Sequence, residues 1–393
     1  MFDAQAWLQR RGGKAWQAGL LVFAVSLPAL SGFLGRIAKS DTWFADYGAV
    51  ACAARMSEVG RSLYEAAPDC PDMRVMPFVY LPQVAQLWAG FTDLIGEPGA
   101  RLAFISLHYM ALATLVWFAF LRRDRPGPRI ERAPFAVLIT GSALTWGNFA
   151  VPLHALVALT AEQAARRPWL FLGPVLLAGW LKPLYLTFLV VFLLAPVSLA
   201  RRAVWFSLGA AAGVAPFATF LLTPSPAREQ WYRLVQHYVF VEAPGEGLFG
   251  WVAAVGGSPA DPAVWALYLL FAALLTVSTI ALAEGARVSA SDRAMLGLAV
   301  ATLLLPRPLP HDLLLLGPGM AVAVSAAGAL GDPARRAAAL AVYGACALAL
   351  LLNLVDLSDN APKAATLMFA ATLLGLGAAF ARPAVANLRA RPA

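Results

Sequence analysis

Apolar runs of roughly 15–22 residues recur from one end of this chain to the other, separated by short polar breaks. A transmembrane helix needs about 20 largely apolar residues, so each run is a candidate span. The pattern predicts spans near 16–36, 101–121, 133–150, 151–165, 168–181, 183–200, 203–223, 263–284, 294–310, 312–330, 337–355 and 364–381. The predicted fold class is an all-α polytopic membrane protein, a bundle of about twelve transmembrane helices with both ends on one side. Residues 77–96 are also apolar, but they carry Tyr80, Pro82, Gln83, Gln86 and Asp93. They are expected to lie in, or dip into, the outer interface. Two outer segments are long: 37–100, which contains that interfacial helix, and 224–262.

Composition agrees with the pattern. The chain has 393 residues, 60% hydrophobic and 13% charged, and a soluble chain carries about twice that charge. Mean hydropathy is +0.68. The net charge of +8 comes from basic clusters at Arg10-Arg11-Lys14, Arg122 to Arg132, Arg166-Arg167, Arg201-Arg202, Arg287/Arg293, Arg335-Arg336 and Arg382 to Arg391. These punctuate the spans on one side, and by the positive-inside rule that side is cytoplasmic. The charge therefore describes topology and contact with membrane lipids, and no nucleic-acid partner is expected. The first apolar run lacks a small-residue cleavage site and reads as an anchor. The whole of 1–393 is expected to form a single domain with both termini cytoplasmic.

Cys346 falls in a predicted span, whereas Cys52 and Cys70 both fall in the first outer loop. In an oxidising periplasm the latter two could pair, and sequence alone leaves that open. His108, His154, His237 and His311 are scattered and no two cysteines have CxxC spacing, so no metal and no other cofactor is expected.

Ionisable groups at membrane depth are costly, and each is a functional candidate. Asp41 stands just past the first apolar run, in Ser40-Asp41-Thr42-Trp43-Phe44-Ala45-Asp46-Tyr47-Gly48. Lys182 sits between two apolar runs in Gly179-Trp180-Leu181-Lys182-Pro183. Arg307, His311 and Asp312 share Leu305-Pro306-Arg307-Pro308-Leu309-Pro310-His311-Asp312, where the prolines prevent a continuous helix. Each has a plainer reading: a snorkelling lysine, a flanking arginine, a local cap, or an aromatic-belt residue at Trp146. All of them nevertheless fall on one predicted face. A carboxylate and several cations facing one compartment suit a substrate that carries a phosphate and a hydroxyl to be activated. Nucleotide sugars are absent outside the cytoplasm, so a lipid-linked phosphosugar is the natural activated donor there.

The order of motifs along the chain resembles a known family. An early Asp is followed seven residues later by Gly48, then come Gly60-Arg61-Ser62-Leu63-Tyr64, Phe78-Val79-Tyr80-Leu81-Pro82, Trp146-Gly147-Asn148-Phe149, Arg166-Arg167-Pro168-Trp169, Leu181-Lys182-Pro183 and Leu305-Pro306 leading to His311-Asp312-Leu313. Over roughly residues 35–330 this resembles glycosyltransferase family 87 of the GT-C superfamily, which includes polyprenol-phosphate-mannose-dependent mannosyltransferases. The resemblance implies a GT-C-type helical bundle in a bacterial inner membrane with its active site on the periplasmic face. It implies inverting transfer of a hexose or pentose, mannose first among them, from a polyprenyl-phosphate sugar to a lipid or glycan acceptor. The family's catalytic Asp maps onto Asp41. Its Tyr-Pro-Pro-like segment maps onto Tyr80 and Pro82, with Gln83 in the second paired position. Its Lys-Pro pair maps onto Lys182 and Pro183. Two positions depart from the pattern: Ala45 stands for the usual tyrosine, and Gly147-Asn148 for the usual Gly-Gln.

The expected roles follow. Asp41 is the general base. Lys182, Arg307 and His311 hold the donor phosphate. Asp46, Tyr80, Gln83, Asn148, His154, His237 and Glu242 bind substrate, the last two from the second outer loop. The rival reading is a polytopic transporter or lipid flippase, which shares the topology. Against it, no inverted repeat is evident in the sequence.

Overall fold

Proline and glycine decide where the long apolar runs become helices and where they break. In the computed structural model the described residues are 15–38, 43–65, 70, 76–122, 132–138, 145–354 and 360–389. Their regular structure is all helical, with no strand among the described residues. Six helices are long and apolar enough to cross a membrane: Pro82–Leu121, Leu199–Leu222, Pro262–Gly285, Asp312–Leu330, Asp332–Asn353 and Ala361–Arg389. This is the make-up of a polytopic membrane protein.

The chain begins with α1 (Ala15–Ala38) and α2 (Ala45–Glu58). Next comes α3 (Pro82–Val116), which carries residues 82–95 and the run from 97 in one kinked rod. The kink is at Gly96, whose φ of 72° and ψ of 158° leave helical space, with Pro98 two residues on. The predicted interfacial segment and the predicted span at 101–121 are thus the two arms of one element. Pro82 opens the first arm at a position where its missing N–H costs nothing.

The region predicted as a span over 133–150 is different. Its described parts are a 3₁₀ helix at Ala133–Leu138 and an irregular turn over residues 146–149. Beyond it, α4 (Ala150–Thr160), α5 (Pro168–Leu181) and α6 (Val190–Leu194) are each no longer than 14 residues. Pro183 biases Lys182 away from helical space, and Lys182 duly adopts φ −139°, ψ 111°, which ends α5 there. A 3₁₀ helix, Pro183–Leu189, then leads into α6.

The second half holds α7 (Leu199–Leu222), α8 (Pro226–His237), α9 (Leu248–Ala254), α10 (Pro262–Gly285) and α11 (Ala290–Leu303). It ends with α12 (Leu316–Ala327), α13 (Asp332–Leu354) and α14 (Ala361–Arg389). The predicted span 294–310 stops at Leu303, ahead of the proline-rich segment. The main core runs through α4, α6, α11 and α12 and continues into α14. A separate aromatic core, with Tyr64, Phe78, Tyr80, Phe217 and Trp231, packs the loop after α2 against α7 and α8.

At one end of the bundle Glu284 is buried between two arginines. Arg202 Nη2 lies 2.5 Å from its Oε1, and Arg293 donates to both oxygens at 2.6 and 3.0 Å. Sequence patterning reads these arginines as cytoplasmic topology markers in contact with membrane lipids. The structure makes them a buried lock between α7, α10 and α11.

Candidate functional site

The site is assembled where four chain breaks meet. The first is the entry into α2. Phe44 donates its N–H to Thr145 O at 2.8 Å, and Asp46 donates its N–H to Trp146 O at 3.3 Å. These bonds lash the first turn of α2 to the Trp146-Gly147-Asn148 turn. Gly147 has φ 67°, and a Cβ there would stand 2.5 Å from Phe44 Cδ1 and 3.0 Å from Phe104 Cε1. Only glycine satisfies both the backbone angle and that approach.

The second break is Lys182. Its Nζ donates to Asn148 Oδ1 at 2.9 Å and lies 5.3 Å from the centre of the Tyr80 ring. Asn148 Oδ1 also accepts the Ala150 N–H at 2.9 Å, so the start of α4 fixes the amide that holds the lysine.

The third break is the proline-rich segment. Arg307 Nε donates to Ala243 O, and Glu246 donates its N–H to Pro308 O at 2.7 Å. Gly245, at φ 82°, lets the two loops touch: a Cβ there would lie 2.6 Å from Pro308 O. The fourth break is the stretch before α3, held by Tyr64 Oη donating to Tyr80 O at 3.0 Å and Trp231 Nε1 donating to Val79 O at 3.0 Å.

Together these segments enclose a cavity of about 330 Å³. Its lining includes Asp46, Tyr80, Trp146, Asn148, Lys182, Glu242, Arg307 and His311. The Asp46 carboxylate makes no hydrogen bond or ion pair among the described residues. Burial raises its pKa above the ordinary value, while the charges of Lys182 and then Arg307 pull it back. It is a carboxylate facing two cations without being consumed by either. Trp146 Nε1 and His311 Nε2 are also buried in this wall without a hydrogen-bond partner among the described residues.

Behind the wall Asp312 organises a buried polar cluster. Its Oδ2 accepts the Leu309 N–H at 2.6 Å, and its Oδ1 lies 3.3 Å from Tyr185 Oη, 3.4 Å from His154 Nε2 and 3.8 Å from His311 Nε2.

Of the residues singled out from sequence, Asp46, Tyr80, Asn148, Lys182, Glu242, Arg307 and His311 come together at the cavity. His154 does not reach it, being fully buried against Asp312 and Tyr185. Gln83 is exposed on the first turn of α3 and does not line it. His237 is exposed, 3.0 Å from Glu242 Oε1, and only its partner reaches the cavity. Asp41 lies outside the described residues. The sequence leaves out Tyr185, one turn beyond Lys182 in an apolar run where it passes for core, and Tyr238, which lines the cavity. Against family models, curated proteins and solved structures, the chain finds no match.

Proposed function

We propose that the protein is a membrane-embedded, inverting glycosyltransferase that uses a polyprenyl-phosphate sugar. It would transfer a hexose or pentose, mannose first among them, to a lipid or glycan acceptor on the periplasmic face. One observation carries the reading: Asp46, whose carboxylate has no hydrogen-bond or ion-pair partner among the described residues, lines one cavity with Lys182 and Arg307. That pairing of a free base with two cations suits transfer away from a phosphate leaving group.

In this scheme the base takes the proton of the acceptor hydroxyl. The acceptor oxygen attacks C1 of the sugar from the face opposite the phosphate. The bond between C1 and the phosphate oxygen breaks, and polyprenyl phosphate leaves carrying the electron pair. Lys182 and Arg307 hold the phosphate and stabilise the charge it gains. His311 is placed to donate to a phosphate oxygen or a sugar hydroxyl, and Trp146 Nε1 offers a further donor. The GT-C resemblance assigns the base to Asp41. We give the role to Asp46, because it lines the cavity and feels the charge of both cations, and keep Asp41 as the alternative base on the same outer segment.

The Cys52–Cys70 disulfide, Cα–Cα 5.9 Å, ties α2 to the loop after it and suits an oxidising compartment on this side. The test is direct. Purified protein supplied with a polyprenyl-phosphate sugar and an acceptor extract should release polyprenyl phosphate and label the acceptor. Movement of the lipid-linked sugar between leaflets with no release of polyprenyl phosphate would replace this reading with the flippase.

A further inference from the structure

A second cavity, of about 310 Å³, lies at the other end of α5 from Lys182. Pro168, the first residue of α5, is in its wall, and α5 runs roughly 21 Å from there to the first cavity. The remaining wall comes from the chain just before α5, the end of α6 and the first turns of α7, so the cavity sits where helices begin and end. Three arginines line it. Arg202 is committed: it donates to Leu193 O at 2.9 Å, Val197 O at 3.0 Å and Glu284 at 2.5 Å. Arg166 and Arg201 are exposed, and their guanidinium groups make no hydrogen bond or ion pair among the described residues. Among the described residues no acidic side chain lines the cavity, and Glu284 is taken up by Arg202 and Arg293.

We infer that this cavity binds a phosphate group through Arg166 and Arg201, with Arg202 and its buried partners as the rigid wall. Two guanidinium forks lining one cavity can each present paired donors to phosphate oxygens. A basic pocket between helix ends is also the kind of place that takes an anionic lipid headgroup. The apolar surroundings suit acyl chains: Trp205 lines the cavity, and Trp169, Leu199, Val204 and Leu208 expose their side chains beside it on α5 and α7. The source of the phosphate, a phospholipid diester or a soluble phosphate, is for experiment to separate.

Full-length protein in detergent would be titrated with phosphatidylglycerol and, separately, phosphatidylcholine, with retention read by native mass spectrometry. Melting would be followed in parallel with inorganic phosphate. Wild type should retain phosphatidylglycerol over phosphatidylcholine. The Arg166→Ala/Arg201→Ala variant should bind it about fivefold more weakly per arginine removed, or about 25-fold for the pair. Arg335→Ala/Arg336→Ala, a second basic pair outside the lining of this cavity, should behave as wild type. Stabilisation of wild type but not the cavity variant by inorganic phosphate would identify a soluble anion as a ligand of the same site. Equal retention by wild type and the cavity variant, or equal loss in the Arg335/Arg336 control, would overturn the inference.

Discussion

Asn148 Oδ1 accepts two hydrogen bonds at once, from Lys182 Nζ at 2.9 Å and from the Ala150 N–H at 2.9 Å. The first turn of α4 thereby aims the side chain that ends α5. An amide carbonyl holds the ammonium without neutralising it, which leaves its charge for a substrate. Asn148→Asp should therefore keep the fold and weaken donor use, because a fixed carboxylate would compete with the donor phosphate for Lys182. Donor titrations that superimpose for Asn148→Asp and wild type would show that Lys182 does not meet the donor.

Removal of either cation should act on the same quantity. Lys182→Ala and Arg307→Ala are each expected to lose about 1.5–3 kcal/mol of donor interaction, the usual size of a hydrogen bond to a charged group. The loss should appear as a raised donor KM together with a lowered kcat, since the contact strengthens as the phosphate departs. Lys182→Arg should rescue only part, because a planar fork does not sit where a point charge did. Unchanged donor dependence in both alanine variants would mean that these side chains only flank the membrane.

Asp46→Asn should lower turnover by about 10²–10⁴, the usual worth of a general base. Asp41→Asn measured beside it decides between the two carboxylates, and the larger loss marks the base. A base works only when ionised, and the Asp46 pKa is raised by burial. Activity should therefore fall, as pH is lowered, at a higher pH than an ordinary carboxylate would give. The stability sign runs the other way. A raised folded pKa contributes stability below the unfolded value that is lost as pH rises through the folded one. At neutral pH Asp46→Asn should accordingly melt no lower than wild type. A large drop in melting temperature would make Asp46 a structural residue.

The sequence was most legible where chemistry and chain breaks coincide. Lys182-Pro183 and the Pro306–Pro310 stretch announce themselves because proline forbids a helix and a charge in an apolar run is costly. Both meet at the cavity. The turn at Gly147 was legible as a motif, but its task of docking α2 depends on Phe44 and Phe104, distant in sequence. The kink at Gly96 was hidden for a different reason: its two arms are both apolar, and hydropathy does not show whether two neighbouring runs share one rod. A histidine near a turn, such as His154, looks available in sequence, and only its packing against Asp312 and Tyr185 sets it behind the cavity wall. Tyr185 and Glu284 went unseen because their partners, Asp312, Arg202 and Arg293, lie far away in the chain.

The Gly147 turn gives a stability test that is independent of any substrate. Gly147→Ala places a methyl group against Phe44 and Phe104 and forces a side chain into φ 67°. The backbone term alone is about 1–2 kcal/mol, and the clash adds to it. Because Asp46 hangs from this turn through its N–H bond to Trp146 O, activity should fall by more than the change in folded fraction explains. Gly173→Ala, where an added methyl meets nothing within 4 Å, is the control and should be close to neutral. Equal behaviour of the two variants would remove the turn from the account of the site.

The disulfide tests sidedness and structure together. Cys52 is buried on α2 and its bond to Cys70 closes the loop between them. Cys52→Ser with Cys70→Ser should cost about 2–4 kcal/mol of stability, the common range for a native bridge. The effect should also reach the cavity, because α2 carries Asp46 and the same loop leads on to Tyr80. In intact cells, the chain with Cys346→Ala should take up a thiol reagent at Cys52 and Cys70 only after reduction, since such bonds persist in oxidising compartments. A reporter fused after residue 128 should read cytoplasmic while one at residue 240 reads periplasmic, as the Arg122–Arg132 cluster demands. Full labelling before reduction, or a periplasmic signal at residue 128, would turn the proposed orientation over and take the periplasmic donor with it.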